Sequence, residues 1–316
     1  MNNNQTETRT NDITNQFTPK TNGTIPKYLT LTAVLIISTI LTVILGNIIL
    51  NGVGIINWEF LSSPPENGME GGGIFPAIFG TVALVLLMTI AVVPIGVMTA
   101  LYLQEFTSPT SKILRIIRIA INNLAGVPSI VFGLFGLGFF IGFVGNGIDS
   151  VFYDGGRPVW GQPAIIWASL TMALLTLPVV IISTEEALRT IPQEIKDASY
   201  ALGATKLQTI RKIILPQAMP GILTGAILAI NRGAGEVAPI MFTGAAYYLP
   251  YLPYKLNDQF MEMGYHIYVM ATQSPDIEAT KPILYGTVLV LLVLTFMLNF
   301  VAIMLRSKLR SKRISM

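Results

Sequence analysis

Six long apolar runs divide the sequence, and each is long enough to cross a membrane as a helix, which takes about 20 residues. Five contain no charged residue and cover residues 28–50, 71–104, 119–148, 158–184 and 282–305. The sixth covers residues 221–246 and is interrupted only by Arg232 and Glu236. Charged residues make up 12% of the chain, against about a quarter in soluble domains. The pattern predicts an all-α integral membrane protein with six transmembrane helices, located in the cell membrane.

The first apolar run is predicted to be an uncleaved anchor. Residues 28–50 exceed the roughly 7–15 apolar residues of a signal-peptide core. Residues 1–27 before it are polar, rich in Asn and Thr, and show no apolar period. Such a composition is typical of a disordered tail.

Basic residues alternate between the two sides of the predicted helices. Three lie in one set of loops, at Arg157, Lys255 and Lys281. The opposite set and the two tails hold sixteen: Arg9, Lys20, Lys27, Lys112, Arg115, Arg118, Arg189, Lys196, Lys206, Arg211, Lys212, Arg306, Lys308, Arg310, Lys312 and Arg313. Because Lys and Arg are retained in cytoplasmic loops, both termini are predicted to be cytoplasmic.

The loop Ser183–Gly221 is the longest charged, helix-patterned segment in the second half of the chain. Capping boxes are predicted at Ser183/Glu186 and Thr205/Gln208. Gly203 is expected to end a helix in the left-handed conformation, and Pro216 is expected to stop the next one. Apolar stripes comprise Ile195, Ala198, Ser199 and Leu202 and then Leu207, Ile210 and Ile214. Two separately capped helices favour a protein docking surface. The alternative is an amphipathic hairpin that lies on the lipid surface.

The same loop carries a family resemblance. Asp197-Ala198-Ser199, three residues, Gly203, nine residues and then Ile213-Ile214-Leu215-Pro216 resemble the EAA motif of ABC-importer permeases. In that family the motif forms the coupling helix, which sits in a cleft of the cytoplasmic ATPase. The resemblance therefore implies a coupling role for Asp197, Ala198, Ser199, Gly203, Ile213, Leu215 and Pro216. Asp and Ser replace the family's Glu and second Ala, which shortens the carboxylate side chain by one methylene.

Further segments resemble the phosphate-transporter permeases of the A type, the PstA family. They are Asn122–Leu137, Leu174–Pro192 and Arg232–Ala246, and the similarity extends over about residues 73–305. It implies a type I (MetI-like) ABC permease domain over 73–305 with a cytoplasmic coupling loop at 183–221. A first helix and outer loop over 28–72 would precede the domain, and a basic cytoplasmic tail over 306–316 would follow it.

The resemblance also implies the partners and the transported ion. The partners would be an ATPase dimer, a second permease subunit of the C type and an extracytoplasmic phosphate-binding protein. The sequence has no Gly-x-x-x-x-Gly-Lys-Ser/Thr loop, so ATP hydrolysis is assigned to the partner ATPase. No cofactor is expected.

Arg232 is the one Lys or Arg inside a predicted span, and Glu236 follows four residues later. Intramembrane charges usually face a bundle interior or a pathway, and a guanidinium can bind two phosphate oxygens. We therefore expect Arg232 to line an anion route and Glu236, one helical turn away, to modulate it. A structural ion pair that only fixes helix packing is the alternative.

Other functions fit the residue inventory less well. With one His, no Cys and a single intramembrane Glu, the spans lack the groups of an enzyme active site. His266 falls in an outer loop and is expected to be a neutral surface residue. A permease for another oxyanion, such as sulfate or molybdate, and a non-transporting scaffold subunit remain alternatives.

Overall fold

The computed structural model describes residues 24–69, 71–108, 110–153 and 156–314, and the predicted tail over 1–27 lies almost entirely outside them. Two short strands, β1 (Pro65–Glu66) and β2 (Gly71–Gly72), pair antiparallel. The helices are α1 (Thr24–Gly52), α2 (Trp58–Ser62), α3 (Phe75–Leu101), α4 (Lys112–Ala125), α5 (Ser129–Phe135), α6 (Asn146–Phe152), α7 (Ile165–Arg189), α8 (Gln193–Ala201), α9 (Lys206–Thr209), α10 (Leu215–Gly233), α11 (Ile240–Thr243), α12 (Met263–Gln273) and α13 (Ile277–Ile314). Short 3-10 turns lie at Val53–Ile55 and Asn67–Met69. Five-residue π-helical turns extend α3 at Tyr102–Phe106 and precede α10 at Ile210–Ile214, and a longer one follows α5 at Gly136–Gly145.

Six helical segments of the described chain are long and apolar enough to cross a membrane, as predicted. They are span 1 (Ile25–Ile55), span 2 (Phe75–Phe106), span 3 (Ser129–Phe152), span 4 (Ile165–Arg189), span 5 (Lys206–Gly233) and span 6 (Ile277–Lys308). We call the ends that face the basic loops the inner ends, following the distribution of Lys and Arg.

The chain divides into two compact units after Leu50. The described part of the first unit is a single helix, and its apolar side chains, such as Ile37 and Val43, are exposed. A helix that is apolar all round suits a hydrocarbon environment. The second unit, residues 51–316, contains the other five spans and the cores that position the functional residues.

Two predicted spans differ most from the observed helices, and proline and glycine explain the first. The run at 119–148 is not one helix, because Gly126, Val127 and Pro128 separate α4 from span 3. Pro128 has an extended ψ of 139°, and a proline disfavours helical geometry in the residue before it. The run at 221–246 also differs, since its helix begins earlier, at Lys206, and ends at Gly233.

Span 4 is the central helix of the second unit and packs against spans 2 and 5. Its buried side chains include Met172, Leu175 and Val180, which join one core cluster with residues of span 2. Glycines on span 5 allow close approach: a Cβ on Gly221 would lie 2.2 Å from the Cβ of Ala187. Small residues at helix contacts are the usual solution where lipid provides no hydrophobic driving force between helices.

The outer side of the second unit is closed by α2, the β1–β2 hairpin and α12. Phe60 and Met263 are both buried in one cluster there. A Cβ on Gly80 would lie 1.9 Å from the carbonyl oxygen of Met261, so the segment before α12 lies directly on span 2. Tyr248, one of the tyrosines of the outer loop, donates a hydrogen bond from its hydroxyl to the carbonyl of Pro65 at 2.9 Å.

Candidate transport pathway and coupling surface

Arg232 and Glu236 form an ion pair at the end of span 5. The Nε of Arg232 donates to Oε1 of Glu236 over 3.2 Å. The two side chains are 32% and 25% exposed, so each retains an open edge. The two side chains are paired, as the sequence suggests, but the backbone that joins the two residues is not helical throughout.

The pair spans a helix end and does not lie on one helical face as predicted. Arg232 occupies the last turn of α10, which ends at Gly233, and Glu236 lies in the turn that follows. A cation in the last turn of a helix is favoured by the helix dipole. Because the chain leaves the helix at Gly233, the carboxylate can fold back beside the guanidinium.

The end of span 5 lies beside the middle of span 2. A Cβ on Gly233 would be 2.6 Å from the terminal methyl of Met88. Met88 lies 13 residues from Phe75 and 18 from Phe106, the two ends of span 2, or about 20 and 27 Å at 1.5 Å per residue. The Arg232–Glu236 pair and the non-helical backbone after it therefore lie well inside the membrane depth.

A partly exposed ion pair at this depth limits what can cover it. Charged groups and irregular backbone are tolerated within the bilayer where they line a water-filled cavity or are buried in protein. The chain that follows Glu236 is packed against span 3, since a Cβ on Gly133 would lie 2.9 Å from the Cα of Pro239. The open edge of Arg232 and Glu236 is therefore suited to a cavity or a protein neighbour, and not to lipid.

The segment Ser183–Gly221 contains one predicted cap and lacks the other. Thr205 and Gln208 form the predicted capping box, with both reciprocal hydrogen bonds present. The predicted box at Ser183 and Glu186 is wrong, because α7 continues through both residues to Arg189 and the Ser183 hydroxyl bonds to the carbonyl of Val179. A serine inside a helix can satisfy its hydroxyl on the preceding turn, so the sequence signature of a cap does not require a helix start.

Gly203 ends α8 in the left-handed conformation, as predicted, with φ of +80°. The N–H of Ala204 bonds to the carbonyl of Ser199 at 3.2 Å, and the N–H of Gly203 to that of Tyr200 at 2.9 Å. These two bonds constitute a Schellman motif, which glycine adopts without a Cβ penalty. The turn between α8 and α9 therefore has a fixed geometry.

Pro216 does not stop the second helix, contrary to the prediction. Helix α9 continues through the π-helical turn Ile210–Ile214 into α10, whose first turn contains Pro216. The N–H of Leu215 bonds to the carbonyl of Ile210, five residues earlier. This wider turn accommodates the proline, which has no N–H and would otherwise clash with the preceding turn.

The residues of α8 divide between two faces. Asp197 and Ala198 are exposed, whereas Ser199 is 5% exposed and shares a 2.9 Å hydrogen bond with the hydroxyl of Thr209. Ser199 therefore fixes α8 to α9 from the inside. Among the remaining candidates, Gly203 and Pro216 are exposed, and Ile213 and Leu215 are half-buried.

Large apolar side chains stand exposed around the same turn. Leu202 is 90% exposed and Leu207 is 70% exposed, and Ile195 and Tyr200 are each 37% exposed. The α8–α9 turn and the residues that flank it therefore present an apolar surface with the acidic Asp197 at the inner end. We name Asp197, Ala198, Leu202, Gly203 and Leu207 the elbow face.

Two ion-pair groups at the inner end were not predicted. Glu185 of α7 pairs with Arg118 at 3.2 Å and with Arg189 at 3.7 Å. Glu105, at the end of span 2, pairs with Lys196 of α8 at 2.6 Å. The sequence separations of 67 and 91 residues exceed any helical or turn spacing, so no local pattern could have indicated either pair.

Helix α12 buries two titratable groups, and one of them corrects a prediction. His266 is 2% exposed and is not a surface residue, because α12 packs against span 2 and α13. Neither of its ring nitrogens has a hydrogen-bond partner among the described residues, and burial lowers the pKa of His266 to about 4. Glu262 caps the same helix by accepting from the N–H of Tyr265 at 2.7 Å, and burial raises the pKa of Glu262 to about 7.

The raised pKa of Glu262 predicts a pH-dependent stability. Burial disfavours the charged carboxylate. The stability that the protonated Glu262 contributes is therefore fully present below its unfolded pKa of 4.5 and is lost as the pH rises to about 7. Glu262→Gln keeps an acceptor for the helix cap and removes the titration. Thermal unfolding of the purified wild type and variant at several pH values should show the variant gaining relative stability between pH about 4.5 and about 7. Because His266 is present in both proteins, its titration affects the stability of both equally. If the unfolding temperatures of the wild type and the variant changed in parallel with pH, the burial of Glu262 would be contradicted.

The comparisons with known proteins agree with this architecture. Residues 92–311 match the family described as the binding-protein-dependent transport system inner membrane component. The chain is 33% identical over 258 residues to the probable ABC transporter permease protein YqgI of Bacillus subtilis, covering 77% of this chain and 82% of that protein. It is also 33% identical over 235 residues to the probable phosphate transport system permease protein PstA of Methanocaldococcus jannaschii, covering 74% and 76%.

A solved structure supports the fold. A chain of a bacterial alginate ABC transporter, crystallised with an alginate pentasaccharide-bound periplasmic protein, superposes with a TM-score of 0.60. The alignment covers 89% of this chain and 94% of that one at 17% identity, so it bears on the fold alone. The predicted ABC permease fold is confirmed, and the six apolar spans place the chain in the plasma membrane as a multi-pass protein. The chain belongs to the inner membrane components of binding-protein-dependent transport systems, as a PstA-like ABC permease subunit.

Proposed function

We propose that this permease imports inorganic phosphate. It would form half of the translocation pathway, with a second permease subunit of the C type as the other half. An extracytoplasmic phosphate-binding protein would deliver the ion, and a separate ATPase dimer would supply the energy. The phosphate transport names of relatives such as the Methanocaldococcus jannaschii protein support the choice of ion.

The observation that carries the proposal is the half-open Arg232–Glu236 pair at membrane depth. Phosphate carries one to two negative charges and needs hydrogen-bond donors in place of its water. The guanidinium of Arg232 presents such donors in a planar arrangement that matches two oxygens of a tetrahedral oxyanion. Its Nε is held by Glu236, which leaves the terminal nitrogens to face the incoming ion.

Glu236 would keep Arg232 available for an incoming ion without allowing the ion to bind too tightly. Its carboxylate neutralises Arg232 when no ion is present, so the guanidinium does not remain uncompensated in a low-dielectric region. When phosphate binds, the same carboxylate repels it. A site that combines attraction with repulsion favours passage over tight retention, as a conducting route requires.

The elbow face would connect this route to ATP hydrolysis. Its exposed apolar side chains, Leu202 and Leu207, lie next to the acidic Asp197, and a helical surface of this kind fits a groove in a partner protein. Closure of the ATPase dimer would move the elbow face and rock the spans between inward-open and outward-open states. Rocking of helix bundles around a fixed midplane site is the general mode of alternating access.

Competition between oxyanions tests the choice of phosphate. Vesicles that contain the assembled complex should accumulate labelled phosphate on addition of ATP and the binding protein, and excess sulfate should not compete. A complex that instead accumulates sulfate would retain the importer function and overturn the substrate. A well-assembled complex without uptake of either ion would favour a scaffold subunit.

A further inference from the structure

Glu105 and Lys196 form the most enclosed ion pair among the described residues. Lys196 Nζ lies 2.6 Å from Glu105 Oε1, and the two side chains are 9% and 7% exposed. Glu105 belongs to the π-helical turn Tyr102–Phe106 that ends span 2. Lys196 belongs to α8, directly beside Asp197 of the elbow face. The pair therefore joins the inner end of span 2 to the helix that carries the elbow face.

A second lysine holds the other side of the same turn. Lys206, the first residue of α9, donates from Nζ to the backbone carbonyl of Glu105. Its ammonium group also lies 4.5 Å from the ring centroid of Phe106, within range of a cation–π interaction. Lys196 precedes Gly203 and Lys206 follows it, so the consecutive residues 105 and 106 hold both arms of the α8–α9 turn.

These contacts fix the inward side of α8 and leave the elbow face exposed. Lys196 and Ser199 point inward to Glu105 and Thr209, whereas Asp197 and Ala198 are exposed. The apolar side chains around these contacts form one cluster, because Ala100 and Leu103 of span 2 are buried together with Leu188, Ile191 and Ile210. The helix that carries the elbow face is therefore joined to span 2 by ionic contacts and by packing together.

Span 2 also reaches the candidate pathway. Its residue Met88 lies against Gly233, which is adjacent to Arg232. One helix thus contacts the α8–α9 turn at its inner end and Gly233, the residue after Arg232, near its middle. Span 2 runs without a break from Met88 through Pro94 to Glu105, so it provides a continuous physical connection between the two sites.

We infer that Glu105, Lys196 and Lys206 are positioning residues that clamp the coupling turn to span 2, so that the elbow face and span 2 move as one body. This inference rests on the proposed coupling of the elbow face to an ATPase. A buried ion pair that only stabilises the fold makes a different prediction, because neutralising both partners of such a pair is often harmless whereas removing one is not. The comparison of single and double variants therefore separates the two roles.

The test uses Lys196→Met, Glu105→Gln and the double variant in the full complex, compared at equal assembly. For a clamp, ATP hydrolysis continues while uptake per ATP falls about tenfold or more in the single variants, where one charge is left buried alone. The double variant stays uncoupled, because the ion pair between α8 and span 2 is still missing and only the contacts of Lys206 remain. Wild-type uptake per ATP in the double variant would overturn the inference and leave a pair with a stabilising role only.

A distance measurement makes the test independent of transport. The wild-type sequence has no cysteine, so spin labels at Glu194→Cys on α8 and Ser108→Cys after span 2 report the separation of the two elements. We expect the double variant to broaden this distance distribution in the assembled complex, and an unchanged distribution would refute the clamp. If the wild-type complex imported no phosphate and the distribution still broadened, the clamp would stand and the proposed substrate would fall.

The chain provides a matched control. Glu278 and Lys281 also form an ion pair, at 3.5 Å, but their side chains are 83% and 43% exposed. Such exposed pairs contribute little. Glu278→Gln with Lys281→Met should therefore change neither uptake per ATP nor the spin-label distances.

Discussion

Arg232→Gln is expected to abolish most phosphate uptake by the assembled complex. The substitution keeps a hydrogen-bonding side chain, about two bonds shorter than that of arginine, but removes the positive charge at membrane depth. Hydrogen bonds to charged groups contribute about 1.5–3 kcal/mol, which corresponds to about 10- to 150-fold in rate or affinity. Labelled phosphate uptake into vesicles, measured at equal assembly of wild-type and variant complexes, reports the loss directly.

Controls separate the charge of Arg232 from its position. Arg157→Gln removes a charge from an exposed outer loop and should leave uptake unchanged. Glu236→Gln leaves the Arg232 guanidinium without its carboxylate, so we expect phosphate to be held more tightly and released more slowly. Normal uptake by the Arg232→Gln complex would return Arg232 and Glu236 to the role of a structural ion pair.

Gly203→Asp is expected to uncouple ATP hydrolysis from uptake while the chain still inserts into the membrane. At φ of +80°, any Cβ costs about 1–2 kcal/mol. A Cβ at this position meets no atom of the chain within 4 Å, so the added carboxylate projects outward from the elbow face toward the partner. We expect uptake per ATP to fall about 5- to 100-fold, the usual range of coupling free energies between sites.

Two further variants identify the cause. Gly203→Ala imposes at least as much backbone strain, since Asp tolerates the left-handed region better than Ala, but it adds no charge and should uncouple only partly. Gly156→Asp adds the same carboxylate in the outer loop, where a Cβ also meets nothing within 4 Å. We expect it to leave uptake per ATP unchanged. Wild-type uptake per ATP in Gly203→Asp would disprove the coupling role of the elbow face.

The number of spans could be predicted because a bilayer imposes a simple requirement on sequence. A helix in hydrocarbon must be apolar over about 20 residues, and charges between the runs mark the connections. The conformation of Gly203 and the Thr205/Gln208 box could be predicted for a similar reason, since both involve atoms within a few residues of each other. The Arg232–Glu236 contact also involves residues only four apart.

Helix boundaries were predicted less well, because neighbouring structure decides them. Pro216 should stop a helix on local grounds, but the π-helical turn before it lets α9 run on into α10. Span 5 ends at Gly233 although apolar residues continue to position 246. There the chain turns back and packs against spans 3 and 4, as the close approach of Gly244 to the carbonyl oxygen of Ala164 shows.

The sequence by itself determined the membrane location, the number of spans, the Gly203 turn with its Thr205/Gln208 cap, and the pairing of Arg232 with Glu236. Each of these depends on composition or on residues close along the chain. The tertiary structure decided the depth of that pair, the burial of His266 and the ion pair between Glu105 and Lys196. These features depend on which distant segments meet, and 91 residues separate Glu105 from Lys196. No local periodicity encodes such a meeting, since it follows from the packing of spans 2, 4 and 5 as a whole.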